Sequence, residues 1–205
     1  MKNIIFDVDG TLWDTTEVVA KAWNRAISEA GGTAAVITAS VLKKEFGKTM
    51  DAIANDLFYD ADAEKRELIL EKCCEYEHED LLKNTDDLLY PGVKETIMEL
   101  SESCRLFIVS NCQCGYIELF IQKAGIERYI TGHECFGNTG KSKGENIRLL
   151  MERSNLDEAV YVGDTQGDYE ATVFAGIPFI FAKYGFGSVE GHYTAINDIK
   201  ELLDL

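Results

Sequence analysis

Four apolar runs of strand length, each almost uninterrupted, constrain this chain more than any other feature: NIIFDVD (3–9), RLFIVSN (105–111), AVYVGD (159–164) and PFIFA (178–182). A strand with one face in water alternates apolar and polar residues. Parallel strands covered by helices on both faces do not. The segments between the later runs carry helical signals. GVKETIMELSES follows Pro91, expected as a first-turn proline, and YIELFIQKAG closes on Gly125. KGENIRLLMERS precedes the third run, and DYEATVFAG ends on Gly176 with Pro178 just beyond. Strand and helix alternating in this way predict an α/β fold with a doubly wound, Rossmann-like parallel sheet.

Residues 15–88 break that rhythm. TTEVVAKAWNRAISEAGG places Val19, Ala22, Trp23, Ala26, Ile27 and Ala30 at helical spacing and stops at Gly31–Gly32. TASVLKKEFG, TMDAIANDLF and DAEKRELILEKCCEYEHEDLLKN are also helical in pattern, and none reads as a strand. An insertion of this size directly after the first strand is too long for a crossover helix. It predicts an all-helical domain at 15–88, inserted into a core domain formed by 1–14 and 89–205. The acidic run EYEHED (75–80) reads as a solvated helix face, and Cys73–Cys74 as helix-packing thiols.

The chain has 205 residues, with 36 Asp and Glu against 20 Lys and Arg, a formal net charge of -16. That field repels nucleic acid and anionic membrane, so neither is expected as a partner. Six cysteines lack the spacing of a disulfide framework, and the three histidines are too scattered to complete a zinc site with Cys112 and Cys114. The opening MKNIIFDVDG carries no leader-like apolar stretch, and no run approaches the ~20 residues that span a bilayer. A reducing cytoplasm with free thiols is the expected setting, with the protein a monomer or homodimer. Any anionic substrate would need a locally positive site.

In open α/β sheets, ligands bind beyond the carboxyl ends of the strands. Three of the runs end there in polar groups: Asp7 and Asp9, Ser110 and Asn111, and Asp164. With Asp168, four carboxylates would gather in a small space. They would raise one another's pKa unless a cation binds. Hard oxygen ligands with room for water suit Mg2+. A lysine from GNTGKSKGEN, Lys141 or Lys143, would complete the balance. An Asp in such a site can attack phosphorus, and a second carboxylate two residues on can move protons. Ser110, Asn111 and the amides of the Gly10–Thr11 turn are candidate donors to the phosphoryl oxygens.

DVDGT (7–11), IVSN (108–111), the lysine at 143 and VGDTQGD (162–168) together resemble the four motifs of the haloacid dehalogenase superfamily, in order and through most of the chain. The resemblance implies Asp7 as nucleophile and Asp9 as general acid/base. It implies phosphate binding by Ser110 with Asn111, and Mg2+ held by Asp7, the Asp9 carbonyl and Asp164. Asp168 would support the lysine or the metal's waters. Lys143 is preferred to Lys141 because the family lysine directly precedes a helix, as in KGENIRLL. The helical insertion matches the family's α-helical cap. YPGVKETIMEL (90–100) and KYGFG (183–187) are similar to stretches of phosphoglycolate phosphatase-like members.

Three positions depart from the family's usual pattern. Trp13 stands where a small aliphatic residue is commoner, and is expected to pack at the cap hinge. Gly144 follows the lysine where proline is common, and Cys112 stands where some relatives carry lysine. Lys48 in FGKTMD reads equally as a solvated lysine or as a cap residue reaching substrate. The activity implied is Mg2+-dependent hydrolysis of a small-molecule phosphate ester, phosphoglycolate-like. A sugar phosphomutase or a catalytically silent phospholigand-binding regulator are the alternatives. A dehalogenase is disfavoured, because those relatives lack the acid corresponding to Asp9.

Overall fold

The computed structural model describes residues 2–205, which divide into two compact units. One comprises the chain up to Asp14 together with Leu88–Leu205, and the other is Thr15–Asp87. Strand β1 (Asn3–Phe6) opens the first unit. The second unit holds α1 (Thr16–Ala30), α2 (Ala39–Glu45), α3 (Met50–Leu57) and α4 (Ala63–Lys83). The first unit resumes with α5 (Val93–Leu100), β2 (Arg105–Ser110), α6 (Tyr116–Ala124), β3 (Ile130–Cys135) and α7 (Phe136–Thr139). It ends with α8 (Lys143–Arg153), β4 (Val160–Gly163), α9 (Gln166–Ala175), β5 (Phe179–Ala182) and β6 (Thr194–Ile196).

The sheet is all parallel, in the order β3-β2-β1-β4-β5-β6. This is the doubly wound arrangement, whose direction reverses at the central strand. β1 lies between β2 and β4, in register Ile5↔Phe107 and Ile5↔Tyr161. The three strands that end in polar groups are therefore neighbours, and their carboxyl ends meet at the reversal. Ile5, Phe107, Val109, Tyr161, Ile147 and Leu150 pack one side of the sheet as a single buried cluster.

Two strands escaped the sequence reading, β3 and β6. Both are sheet edges, with one neighbour each. Edge strands meet water, so ITGHEC and TAI carry polar and exposed positions instead of a continuous apolar run. Pro91 is not a first-turn residue: it lies two places before Val93, the first residue of α5, because the left-handed Gly92 (φ +80°) is the N-cap.

Within the helical unit α1 packs along α4, burying Val19, Ala22, Trp23, Ala26 and Ile27. The buried stripe of α4 is Ile69, Cys73, Glu77 and Leu81, one residue every fourth position. This corrects the reading of EYEHED as wholly solvated. Glu77 is 3% exposed and accepts the Trp23 indole N–H at 2.7 Å. A buried indole N–H needs an acceptor, and the four-residue stripe puts a carboxylate where Trp23 finds one. Cys73 is buried in the same stripe, and all six cysteines are free thiols. Among the described residues no helix is long and apolar enough to cross a membrane.

Candidate active site

Asp7 is the first residue beyond β1, its backbone N–H still tied to Val162 O at 2.9 Å. An apolar strand with four buried residues thus ends in a carboxylate that is itself 1% exposed. Asp164 follows Gly163 at the end of the neighbouring β4 and is fully buried. Asp168 is the third residue of α9, set there by a capping box. Its Oδ2 accepts the Thr165 N–H at 2.9 Å, and the Thr165 hydroxyl accepts the Asp168 N–H at 3.2 Å. Another capping box, Ser142 with Glu145, starts α8 and makes Lys143 its first residue.

Lys143 joins these elements. It is 4% exposed, and its Nζ donates to Asp7 Oδ1 at 2.9 Å and to Asp168 Oδ1 at 2.5 Å. The approach of α8 to α9 that permits this depends on Gly144. A Cβ there would lie 2.7 Å from Phe174 Cδ1 and 3.2 Å from Ala171 O. Lys141 is exposed and its carbonyl accepts from Asn146, so of the two lysines Lys143 is the one between the carboxylates.

The electrostatics are lopsided. Burial pushes the Asp7 carboxyl up from 3.8 to about 6, against the pull of Lys143. Burial also raises Asp164 well above the carboxylate range, with the charges of Asp168 and Asp7 adding to it. Lys143 is drawn down by burial, but Asp168 and Asp7 outweigh that and hold it above its ordinary value, fully charged. One lysine does not neutralise three buried acids. Oxygens of Asp7, Asp164 and Asp168 lie within 4.8 Å of one another. All-oxygen donors with surplus negative charge fit a hard divalent cation such as Mg2+. Asp168 has both oxygens engaged by protein donors, Oδ1 by Lys143 and Oδ2 by the Asp164 and Thr165 amides and the Thr165 hydroxyl. Asp164 also carries a donor on each oxygen, but two against the four just named on Asp168, so Asp7 and Asp164 are the better placed ligands.

Asp164 is held from two sides: Thr11 Oγ1 donates to its Oδ1 at 3.2 Å and the Phe186 N–H to its Oδ2 at 2.7 Å. The KYGFG segment is therefore a clamp on Asp164. It also binds the first turn, where Tyr184 OH donates to Thr11 O at 3.0 Å. The turn itself differs from expectation. The Gly10 N–H donates to Trp13 O at 3.0 Å and the Thr11 N–H to Val8 O at 3.2 Å, so both amides are spent inside the turn and are not aimed at phosphate. Gly10, at φ +80°, is needed for close approach, since a Cβ would stand 2.3 Å from Asp164 Oδ2. Ser110 is buried at the end of β2, and Asn111 follows it, half-buried.

Asp9 is partly buried and its Oδ1 accepts two donors, Tyr116 OH at 2.6 Å and Trp13 Nε1 at 3.1 Å. Nothing in the sequence signalled Tyr116, which lies 107 residues away in the chain. Trp13, expected to pack at the cap hinge, belongs to the first unit and meets residues of that unit. It bridges to Leu89 and packs edge-on against Tyr116 and Phe120. Lys48 is bound within the helical unit, to Glu45 at 2.7 Å and Asp56 at 2.8 Å.

A doubly wound sheet whose central strand delivers an aspartate to a lysine-bridged acidic cluster defines a class of hydrolase. Residues 4–182 match the family described as haloacid dehalogenase-like hydrolase, and the chain belongs to it. Among curated relatives it is similar to the phosphoglycolate phosphatase of Vibrio parahaemolyticus, at 28% identity over 93% of this chain and 87% of that protein. It is also similar to that of Xanthomonas campestris, at 28% over 90% of this chain and 84% of that protein. The fold matches a predicted phosphoglycolate phosphatase from Haemophilus somnus, with TM-score 0.86, 20% identity and coverage of 100% of this chain and 97% of that one. It matches CbbY from Rhodobacter sphaeroides, solved in complex with phosphate, with TM-score 0.82, 20% identity and full coverage of both chains.

Proposed function

We propose that this protein is a magnesium-dependent phosphatase of a small phosphate monoester, acting through an aspartyl phosphate on Asp7. The observation that carries this reading is Lys143 seated between Asp7 and Asp168 beside the Asp164 strand end. The similarity to phosphoglycolate phosphatases supports a phosphoglycolate-like ester as substrate. Residues 15–87 would serve as the cap that restricts access to small esters, a reading that rests on their place in the chain between the Asp7 and Ser110 segments.

Asp7, Asp164 and the Asp9 carbonyl would hold Mg2+, which would supply positive charge against the phosphoryl oxygens. The Asp7 carboxylate attacks phosphorus, and a P–O bond to Asp7 forms as the ester P–O bond breaks. Asp9 gives its proton to the departing oxygen. Asp9 then takes a proton from water, which attacks the phosphorus, releases orthophosphate and restores Asp7. Lys143 offsets charge on Asp7 and on the phosphoryl group, with Ser110 and Asn111 as further donors. Gly10 and Thr11 act by holding Asp164 and not through their amides.

The test is phosphate release from a panel of monoesters with Mg2+ or EDTA. Turnover that requires Mg2+ is expected; no turnover of any ester overturns the phosphatase reading, and isomerised sugar phosphate would indicate a mutase. Binding also has a pH signature. The Asp7 pKa is raised on folding, so the stability it contributes is present at low pH and lost as pH rises through about 6. A cation takes the protons' place, so Mg2+ should raise Tm clearly at pH 7.5 and little at pH 5. An equal rise at both pH values would place the binding elsewhere.

Gly185→Ala checks the clamp on Asp164. Its Cβ would sit 2.3 Å from Asp164 Cβ and 2.4 Å from Gly10 O. Displacing Asp164 should raise the Mg2+ concentration for half-activation about tenfold and cost about 1–3 kcal/mol of stability. A magnesium titration and a thermal melt measure both, and an unchanged titration would exclude the clamp role.

A further inference from the structure

The two donors on Asp9 have a consequence for proton transfer. Trp13 Nε1 and Tyr116 OH both bond the same oxygen, Oδ1, at 3.1 and 2.6 Å. A carboxylate oxygen has two lone pairs in its plane. The indole N–H can only donate to Oδ1, which with the phenol at 2.6 Å makes Oδ1 the less favourable oxygen for a proton and Oδ2 the more favourable one.

The donors are themselves immobilised. Trp13 and Tyr116 are each 2% exposed. Their rings meet edge-on at 5.6 Å, and Trp13 meets Phe120 in the same way at 4.9 Å. Trp13 is also anchored through its backbone, its N–H on Val8 O and its carbonyl accepting the Gly10 N–H. Tyr116 begins α6, whose buried face carries Ile117, Phe120 and Ile121. Two side chains from separate elements thus fix one edge of a partly exposed carboxylate. Such pairs preserve the narrow geometry that proton transfer needs.

We propose that Trp13 and Tyr116 are positioning residues that orient the Asp9 carboxyl for proton delivery from Oδ2 to the leaving oxygen. The inference rests on the reading of Asp9 as general acid/base. In the step they serve, the Oδ2–H bond breaks and an O–H bond forms on the ester oxygen as its bond to phosphorus is cleaved. The contribution is greatest for esters whose leaving group is a strongly basic alkoxide. It is small for esters that expel a weakly basic dinitrophenolate, which departs without a proton.

The experiment compares the wild type with Tyr116→Phe, Trp13→Phe and Asp9→Asn at saturating Mg2+. The substrates are 2,4-dinitrophenyl phosphate and the alkyl monoester turned over fastest in the panel above. Tyr116→Phe should lower kcat/KM for the alkyl ester about tenfold, the loss of one hydrogen bond to a carboxyl that becomes charged as its proton leaves. The ratio of aryl to alkyl kcat/KM, which reports formation of the aspartyl phosphate and not its common hydrolysis, should rise by the same factor. Asp9→Asn should raise that ratio further. An unmoved ratio in Tyr116→Phe beside a raised one in Asp9→Asn overturns the positioning role and leaves the Asp9 assignment standing. An unmoved ratio in Asp9→Asn overturns the Asp9 assignment itself. Should Trp13→Phe fold poorly, Tyr116→Phe decides alone, since it removes one oxygen and keeps the ring in place.

Discussion

Asp7→Asn is expected to lower kcat on the order of 10⁴-fold or more, the scale of losing a covalent nucleophile. The amide has the same shape but cannot form the acyl phosphate. The variant should fold as well as the wild type. Burial already disfavours the charged form of Asp7, whose pKa stands at about 6, and Lys143 keeps its 2.5 Å partner in Asp168. The measurements are phosphate release, covalent label on acid-quenched protein, and a thermal melt. Wild-type protein should carry label and the variant none, at a Tm no lower than that of the wild type. Retention of more than about a tenth of the activity would move the nucleophile elsewhere.

Lys143→Met is expected to damage stability and activity together. Removing the cation leaves Asp7 and Asp168 facing each other in a site where all three side chains are at most 4% exposed. An uncompensated buried charge costs about 3–5 kcal/mol, which for a chain of this size is a drop in Tm of roughly 10 °C. The pH dependence identifies the cause. Without Lys143 the Asp7 pKa climbs further, so the deficit is full at pH 8 and shrinks as acid protonates the carboxyl. Melts at pH 5 and pH 8 should therefore converge toward wild type at the lower value. Added Mg2+ should recover part of the loss at pH 8. Loss of a preorganised charge facing the phosphoryl group should also cost about 10²–10³ in kcat. A deficit independent of pH would mean that Lys143 acts through packing alone.

Much of this site is legible in the linear chain for a physical reason. Strands buried on both faces must be continuously apolar, so the polar residues that end them stand out. Asp7, Ser110 and Asp164 announce themselves in that way. Two further local patterns escaped the sequence reading: the capping boxes Ser142–Glu145 and Thr165–Asp168 start helices and thereby place Lys143 and Asp168. Edge strands β3 and β6 are not legible, because water on one side removes the apolar signature. Glu77 looks like part of a charged surface until the partner helix brings Trp23 against it at 2.7 Å.

The sequence by itself determined the sheet type, the helical insertion and the residues that carry charge to the strand ends. All of these follow from neighbours a few positions apart, through backbone periodicity, burial and capping. Tertiary structure alone decided how those residues are partnered. The turn after Asp7 spends the Gly10 and Thr11 amides internally, KYGFG grips Asp164, and Trp13 with Tyr116 fixes Asp9. A hydrogen bond between residues 107 positions apart depends on where two elements come to rest against one sheet. No local pattern encodes it.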